Sequence, residues 1–315
     1  MKNYTIKKYQ TKDFYVWNNF IADAKNATFL FHRSFMEYHS GRFEDFSLLI
    51  FENEILKAVL PANIVENQVF SHQGLTYGGL VLKESEITQD VESIFESILI
   101  FLKSNDIIDF VIKPIISIYS RYPSFEIDYF LIQKGGALFR KDLNLAIAFS
   151  KPLKISKSKL KHFRKDNKNE LLIKKENQFE SFWNKVLIPR LNEKHNVNPV
   201  HSLEEIQYLA EKFPNNIHQF NVYMDDEILA GITIFESDNV VKSQYGATTE
   251  RGEKYRALDF LFINLIYEFK DKFAYFDMGI VNENQGKTVN YGLLKQKEEL
   301  GCSVFIQDHY KISIN

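Results

Sequence analysis

The stretch F-E-N-E-I-L-K-A-V-L, Phe51 to Leu60, returns as M-D-D-E-I-L-A-G-I-T, Met224 to Thr233. Self-similarity of this kind marks a doubled structural unit. In each copy an apolar strand meets an acidic or Asn-containing turn and reverses into a second apolar strand, the pattern of a tight β-hairpin. The strands are expected at Leu48–Phe51 and Leu56–Leu60, then at Phe220–Tyr223 and Leu229–Phe235. A third strand follows in both copies, at Gln68–His72 and Val240–Gly246, and Gln73 lines up with Gln244. Downstream, Leu258, Leu261, Phe262, Leu265, Ile266 and Phe269 keep the i, i+3, i+4 spacing of an amphipathic helix. Val91, Ile94, Phe95, Ile98 and Leu102 do the same in the first copy, with Thr88 as the expected N-cap and Asp90 in the first turn. Short strands close the copies at Ile108–Ile112 and Tyr275–Met278, where Asp109 and Asp277 hold comparable places. The chain therefore reads as two β-β-β-α-β units of the α/β class.

Length agrees, because 315 residues exceed one ordinary core. The expected domains are 1–150 and 151–315, divided near Ser150. Just beyond it, Lys151 to Lys168 carries eight Lys or Arg residues against one acid, either a solvated helix face or linker or a place to grip phosphate. The composition, 45% hydrophobic and 25% charged with 28 Phe and 16 Tyr, is that of a folded protein with large cores. A formal charge of -2 argues against a general nucleic-acid binder, so DNA is not an expected partner. The single cysteine, Cys302, rules out an intramolecular disulfide and a thiolate zinc cluster; it is read as core, and no metal is expected. Met1 to Trp17 mixes charges among its apolar residues, unlike a signal peptide, so a cytoplasmic setting is expected. No apolar run approaches the roughly 20 residues that span a bilayer, which leaves peripheral membrane contact at most.

Several phrases resemble a known family. L-K-H-F-R-K-D-N-K-N-E-L-L-I-K-K, Leu160 to Lys175, resembles the stretch that opens the second domain of FemAB-like tandem GNAT acyltransferases, with Asp166 in place of its Ala and Asn169 or Glu170 in place of its Gly. F-D-M-G-I-V-N-E-N-Q-G-K-T-V-N-Y-G-L-L-K-Q-K-E-E-L-G, Phe276 to Gly301, resembles that family's D-x-G, N-x-G-L and K-x-x-x-G phrases. H-Q-G-L-T-Y-G-G-L, His72 to Leu80, and N-P-V-H-S-L-E-E-I, Asn198 to Ile206, resemble a bacterial branch associated with surface-polysaccharide synthesis. The resemblance implies two tandem GNAT-like domains, each a mixed, mostly antiparallel sheet flanked by helices. It also implies an N-acyltransferase that moves an acyl or aminoacyl group to an amine of a cell-envelope, peptidoglycan or sugar precursor, in a cleft between the domains. The donor would be a co-substrate, aminoacyl-tRNA or acyl-coenzyme A, with no tightly bound cofactor; charged tRNA and a nucleotide-linked or amino-sugar precursor are the implied partners. A non-catalytic carbohydrate- or nucleotide-binding module and a plain coenzyme A-dependent N-acetyltransferase stand as alternatives.

Acyl transfer to an amine needs a donor cradle, polarisation of a carbonyl and a proton route. The cradle of a GNAT fold lies at the helix start after the third strand, here T-E-R-G-E-K-Y-R-A, which offers Arg251, Gly252 and Arg256 but also Glu250 and Glu253. Resemblance to the family's F-K-x-x-F-G phrase, here Q-K-E-E-L-G, places Lys297 to stabilise carbonyl charge. His201 could serve in the proton route, beside Ser202 and Glu205 in a capping-box pattern, and Tyr245 could donate its hydroxyl. Asp277, acidic in an apolar strand, is either paired across the sheet or aimed into a cleft. Substrate contacts are expected from Lys161, Arg164 and Lys165 on the basic stretch, from Gln244, from Asn290 in the family-like loop, and from Tyr77 in the His72 to Leu80 phrase.

Overall fold

The protein is represented by a computed structural model that describes residues 2–166 and 171–314. It divides into two compact units, Met1–Asp142 with Ile306–Asn315, and Leu143–Phe305.

The first unit contains β1 (Thr5–Lys8), α1 (Phe14–Ala22), α2 (Arg33–Met36), β2 (Glu44–Asp45), β3 (Leu48–Glu52), β4 (Ile55–Leu60), β5 (Asn63–Val65), β6 (Gln68–Phe70), β7 (Val81–Leu82), α3 (Thr88–Ser104), β8 (Asp109–Ile112) and α4 (Glu126–Gln133). Asn53 and Glu54, both at positive φ, turn β3 back along β4, which is the turn geometry that suits the twist of a hairpin. The strands β1, β3, β4 and β7 form one sheet. Pro61 follows β4; proline has no N–H to give a ladder, and beyond it β5 pairs with β2 and β6. The expected third strand thus pairs beyond the proline instead of with β4, and it runs parallel to β8. The helix α3 starts one residue earlier than its expected cap, with Ile87 at the N-cap and Thr88 already helical. Its stripe of Val91, Ile94, Phe95, Ile98 and Leu102 enters a core with Leu48, Ile50, Ala58 and Phe110.

The second unit follows β9 (Ala137–Ala148) with α5 (Lys157–Asp166), β10 (Leu172–Glu176), α6 (Glu180–Phe182), α7 (Ile188–His195), α8 (Leu203–Lys212), β11 (Ile217–Met224), β12 (Glu227–Glu236), β13 (Val240–Thr248), α9 (Glu250–Lys254), α10 (Ala257–Phe269), β14 (Tyr275–Ile280), β15 (Asn282–Glu283), β16 (Thr288–Val289), α11 (Tyr291–Glu299) and β17 (Ser303–Ser313). Between α6 and α7 the chain makes a π turn over Trp183–Leu187. Asp225 and Asp226 at positive φ close the β11–β12 hairpin as Asn53 and Glu54 close the first, so the sequence echo is a geometric one. The sheet order is β10-β11-β12-β13-β14-β9. All neighbours are antiparallel except β13 and β14. The stripe of α10, with Leu261, Leu265, Ile266 and Phe269 buried, packs over Phe220, Ile232, Val241 and Phe276.

The unit limits differ from 1–150 and 151–315 for a reason of strand pairing. Asn144 to Ala148 of β9 pair with β14 and belong to the second unit, while Tyr310 to Ser313 of β17 pair with β8 and belong to the first. The chain therefore passes from the first unit to the second within β9 and returns to the first within β17. No helix among the described residues is long and apolar enough to cross a membrane.

Candidate functional site

Two parallel strands part company in the second unit. β13 and β14 are paired only at Val240–Lys242 against Tyr275–Asp277, although β13 continues to Thr248. Asp277 sits at the last paired position, wholly buried. It accepts from Lys242 Nζ at 3.2 Å, from Asn144 Nδ2 at 2.8 Å and from the Gly279 N–H at 2.8 Å. Of the two readings of this acid, pairing across the sheet is the one observed. The D-x-G phrase gains a physical reason, because Gly279 adopts φ +76 and a Cβ there would lie 3.4 Å from the Lys242 ammonium.

Beyond that apex Lys297 enters from α11 and donates to Gly279 O at 3.0 Å and Ile280 O at 2.9 Å. It is 5% exposed. Burial, and secondarily the nearby Lys242 charge, lowers its pKa to about 8. An ammonium has three N–H donors, so one remains after the two carbonyls are satisfied among the described residues. Cys302 beside it is buried, its thiol pushed up by burial and donating to Met278 Sδ at 3.3 Å, as a core residue.

On β13 past the apex, the register against β12 slips between Thr233 and Ile234, which leaves Gln244 as an extra residue in a bulge. Gln244 Oε1 is buried without a hydrogen-bond partner among the described residues. Tyr245 follows, with its hydroxyl 2.6 Å from His201 Nδ1 and accepting from the His201 backbone N–H at 3.2 Å. Burial pushes the phenol up to about 12. His201 is held by its place just before α8, whose N-cap Ser202 and Glu205 exchange the reciprocal bonds of a capping box. Trp183, the first residue of the π turn, packs edge-on against Tyr245 at 5.3 Å and directs Nε1 at His201 O, 3.4 Å away. A π turn in a helix often marks a functional place, and here it seats the indole on the His–Tyr pair. The structure thus joins two residues 44 positions apart in sequence.

The expected donor cradle at the start of α10 is a cleft of about 290 Å³ lined by Thr248, Gly252, Glu253, Arg256, Asp259 and Gln296. Gly252 and Arg256 therefore lie where expected, Arg256 in a left-handed conformation between α9 and α10. Arg251 does not line it; its guanidinium pairs with Glu227, and with Asp225 at 3.2 Å, at the β11–β12 turn. The reason for Gly252 is packing: a Cβ would lie 2.3 Å from Leu229 O and 2.3 Å from Thr248 Oγ1. Gly252→Ala is expected to destabilise the protein by about 1–3 kcal/mol, read as a lower urea midpoint with an unchanged slope.

Other expected contacts fall elsewhere. Lys161 and Arg164 are exposed on α5. The side chain of Lys165 lies outside the described residues. Among the described side chains of that helix, Lys159 makes a buried contact, 2.7 Å from Asp259 and 3.7 Å from Glu299. Asn290 caps α11, accepting from Leu293 N at 2.9 Å and donating to Glu283 at 2.8 Å. Tyr77 belongs to the first unit, 1% exposed, with its hydroxyl on Thr28 Oγ1 at 2.9 Å. It is a core residue, and its role as a substrate contact is not supported. Lys242, Asn144 and Trp183 carried no motif; only the rarity of a charged or amide side chain in a buried strand could have singled out the first two.

No family model matches the sequence, and no curated protein sequence matches it. Solved structures do. FemX is similar with a TM-score of 0.69 at 9% identity, over 98% of this chain and 96% of that one. L-PGS from Bacillus licheniformis gives 0.59 at 12%, over 96% and 92%. A tandem GNAT protein from the clavulanic acid biosynthesis pathway gives 0.53 at 8%, over 99% of both chains. The fold is that shared by FemX and tandem GNAT proteins.

Proposed function

We propose that this protein is an N-acyltransferase, and that its second unit holds the acyl carbonyl where β13 and β14 separate. The observation that carries this reading is Lys297, a buried ammonium with a free donor at that separation. The folds of FemX and of a tandem GNAT protein support it as well. An acceptor amine attacks the carbonyl carbon and a C–N bond forms. Negative charge moves to the carbonyl oxygen, where the third N–H of Lys297 meets it. The C–O or C–S bond to the donor then breaks. The amine gives up one proton and the leaving group gains one, so nothing else need be supplied. Tyr245, kept as a phenol by burial, gives its proton to the leaving atom as its oxygen takes up the amine's proton, and His201 Nδ1, in contact with that oxygen, holds the proton in transit.

The donor is proposed to be an aminoacyl ester rather than coenzyme A. Glu253 and Asp259 line the cleft where the coenzyme's phosphates would lie, and the cations beside them are already engaged by these carboxylates, Lys159 by Asp259 and Arg190 and Lys194 by Glu253, so the local charge is compensated before any phosphate enters. A cell-envelope precursor is the proposed kind of acceptor, following the envelope-related likeness of the sequence phrases. The test is thermal unfolding with charged tRNA, uncharged tRNA and acetyl-coenzyme A, since a ligand at 100 times its Kd adds about 2.7 kcal/mol of stability. Stabilisation by charged tRNA above uncharged tRNA is expected. Stabilisation by acetyl-coenzyme A alone, with product formed from it, would replace the aminoacyl donor by the coenzyme A reading.

A further inference from the structure

β14 does not run smoothly past its separation from β13. Against β9, Asp277 lies opposite Ala146 and Ile280 opposite Asn144, so β14 spends one residue more than its partner and bulges at Met278 and Gly279. Asp277 holds the bulge from inside. Its Oδ1 accepts from the N–H of Gly279, two residues on, the local turn that aspartate favours. The same oxygen accepts from Asn144 Nδ2, which reaches over from β9, while Oδ2 accepts from Lys242 Nζ on β13. The next two carbonyls along the chain, Gly279 O and Ile280 O, are the ones that receive Lys297. Just past the second, the Val281 N–H is tied to Leu143 O at 3.1 Å. The seat of Lys297 is therefore a turn pinned at one end by a carboxylate and at the other by the backbone of β9.

Stability does not account for the charges in that turn. A buried ion pair contributes little over well-packed apolar side chains of its volume, and the Asp277 and Lys242 side chains are 1% and 12% exposed. An asparagine oxygen accepts from an N–H without any charge, so capping Gly279 does not need an acid. What the pair has is a neighbour whose own charge matters. Burial lowers the pKa of Lys297 most, the Lys242 cation on β13 lowers it further, and the Asp277 carboxylate on β14 holds it up. Cys302, which also acts on it, is a thiol that burial keeps neutral. The salt bridge thus sets a cation against an anion beside the one ammonium that the proposed chemistry uses.

We propose that Asp277 and Lys242 are positioning residues for acyl transfer: the carboxylate fixes the turn that seats the Lys297 ammonium, and the salt bridge, without touching substrate, governs whether that ammonium keeps its proton. The proposal deepens the acyl-transfer reading and rests on it for the role of Lys297, not for the coupling itself. The coupling is read without donor or turnover, from the Nζ resonance of Lys297 in the full chain, identified as the signal lost in Lys297→Met and followed from about pH 6 to pH 11. Asp277→Asn keeps an acceptor for Gly279 but leaves Lys242 unopposed, and should lower the midpoint of that titration by about one pH unit. Lys242→Met should raise it by about as much, whereas Lys242→Arg, which retains the charge, should leave it where the parent has it. A purely structural pair behaves differently. Loosening the turn admits water, which carries the midpoint upward in Asp277→Asn and in Lys242→Arg alike.

An upward shift in folded Asp277→Asn, an unmoved midpoint in Lys242→Met, or a shift in Lys242→Arg as large as in Lys242→Met overturns the proposal. The two Lys242 variants decide the matter by themselves if Asp277→Asn does not fold. Turnover is a separate readout: at pH 8, Asp277→Asn should lower kcat at least about fivefold, the loss of protonated lysine that a one-unit shift brings, with the KM for charged tRNA unchanged. A shifted resonance with the parent's pH–rate profile would remove the pair from catalysis. Intact turnover in Lys297→Met refutes the catalytic reading and leaves the coupling of the three charges standing, so the two ideas fail separately.

Discussion

Lys297→Met is expected to lower the rate constant of amide formation by about 10²- to 10³-fold, the usual effect of removing one donor from a developing oxyanion. The reasoning is geometric. Lys297 spends two N–H groups on Gly279 O and Ile280 O, which fix its position, and has a third for the substrate. Because the neutral amine carries no charge and has only two N–H groups, both taken by Gly279 O and Ile280 O, activity should fall as pH rises through about 8, the lowered pKa of Lys297. Stability should move the opposite way. The unfolded chain holds this proton up to about 10.5 while the folded chain releases it near 8, so the unfolded state binds more protons in that window and folding stability rises with pH across it. Lys297→Met should remove both slopes at once, whereas Lys297→Arg should retain part of the rate and carry the alkaline limb higher, since guanidinium stays charged. Rate and urea-unfolding profiles between pH 7 and 10 check this; a variant that lost only the stability slope would make Lys297 a purely structural residue.

Tyr245→Phe should cost about 10²- to 10⁴-fold in the same rate constant, the ordinary range for a positioned proton donor. The phenyl ring retains the edge-on packing against Trp183 but leaves the His201 backbone N–H without its acceptor, a loss of about 1–3 kcal/mol in stability. His201→Asn keeps an acceptor near the position of Nδ1 while losing the ability to hold the proton. If the two side chains act as one unit, the double variant should be no slower than the slower single variant. Multiplied losses would mean two independent roles. Single-turnover rates, with urea midpoints measured in parallel, distinguish these outcomes.

Much of the architecture could be read because local signals agreed. The Asn53–Glu54 and Asp225–Asp226 turns, the α10 stripe and the Ser202–Glu205 box are each set by residues within a few positions of one another. The passage of β9 and β17 between the two units could not be read that way, since strand partnership depends on residues far apart in sequence. Pro61 was visible, but not its consequence that the third strand would pair beyond it. The site was legible to the extent that buried polar side chains are unusual in apolar strands. Asp277 announced itself by that contrast, and Tyr245 and His201 by their places at a strand and before a capped helix. Lys242, the partner of Asp277, and Lys159, the partner of Asp259, did not, because they look in sequence like the exposed lysines around them, and only coordinates show which ammonium groups turn inward. Arg251, Lys161 and Arg164 illustrate the converse: basic residues near a helix start or on a basic helix that face a turn or solvent.

The most direct measurement is mass-spectrometric detection of amide product from the full chain supplied with a mixed pool of charged tRNA and an amine acceptor such as glucosamine. The parent protein should yield the acylated amine, and the Lys297→Met, Tyr245→Phe double variant, folded by its urea midpoint, should yield none above the uncatalysed background. Product from that variant at the parent's rate would place the chemistry away from the β13–β14 separation and contradict the account.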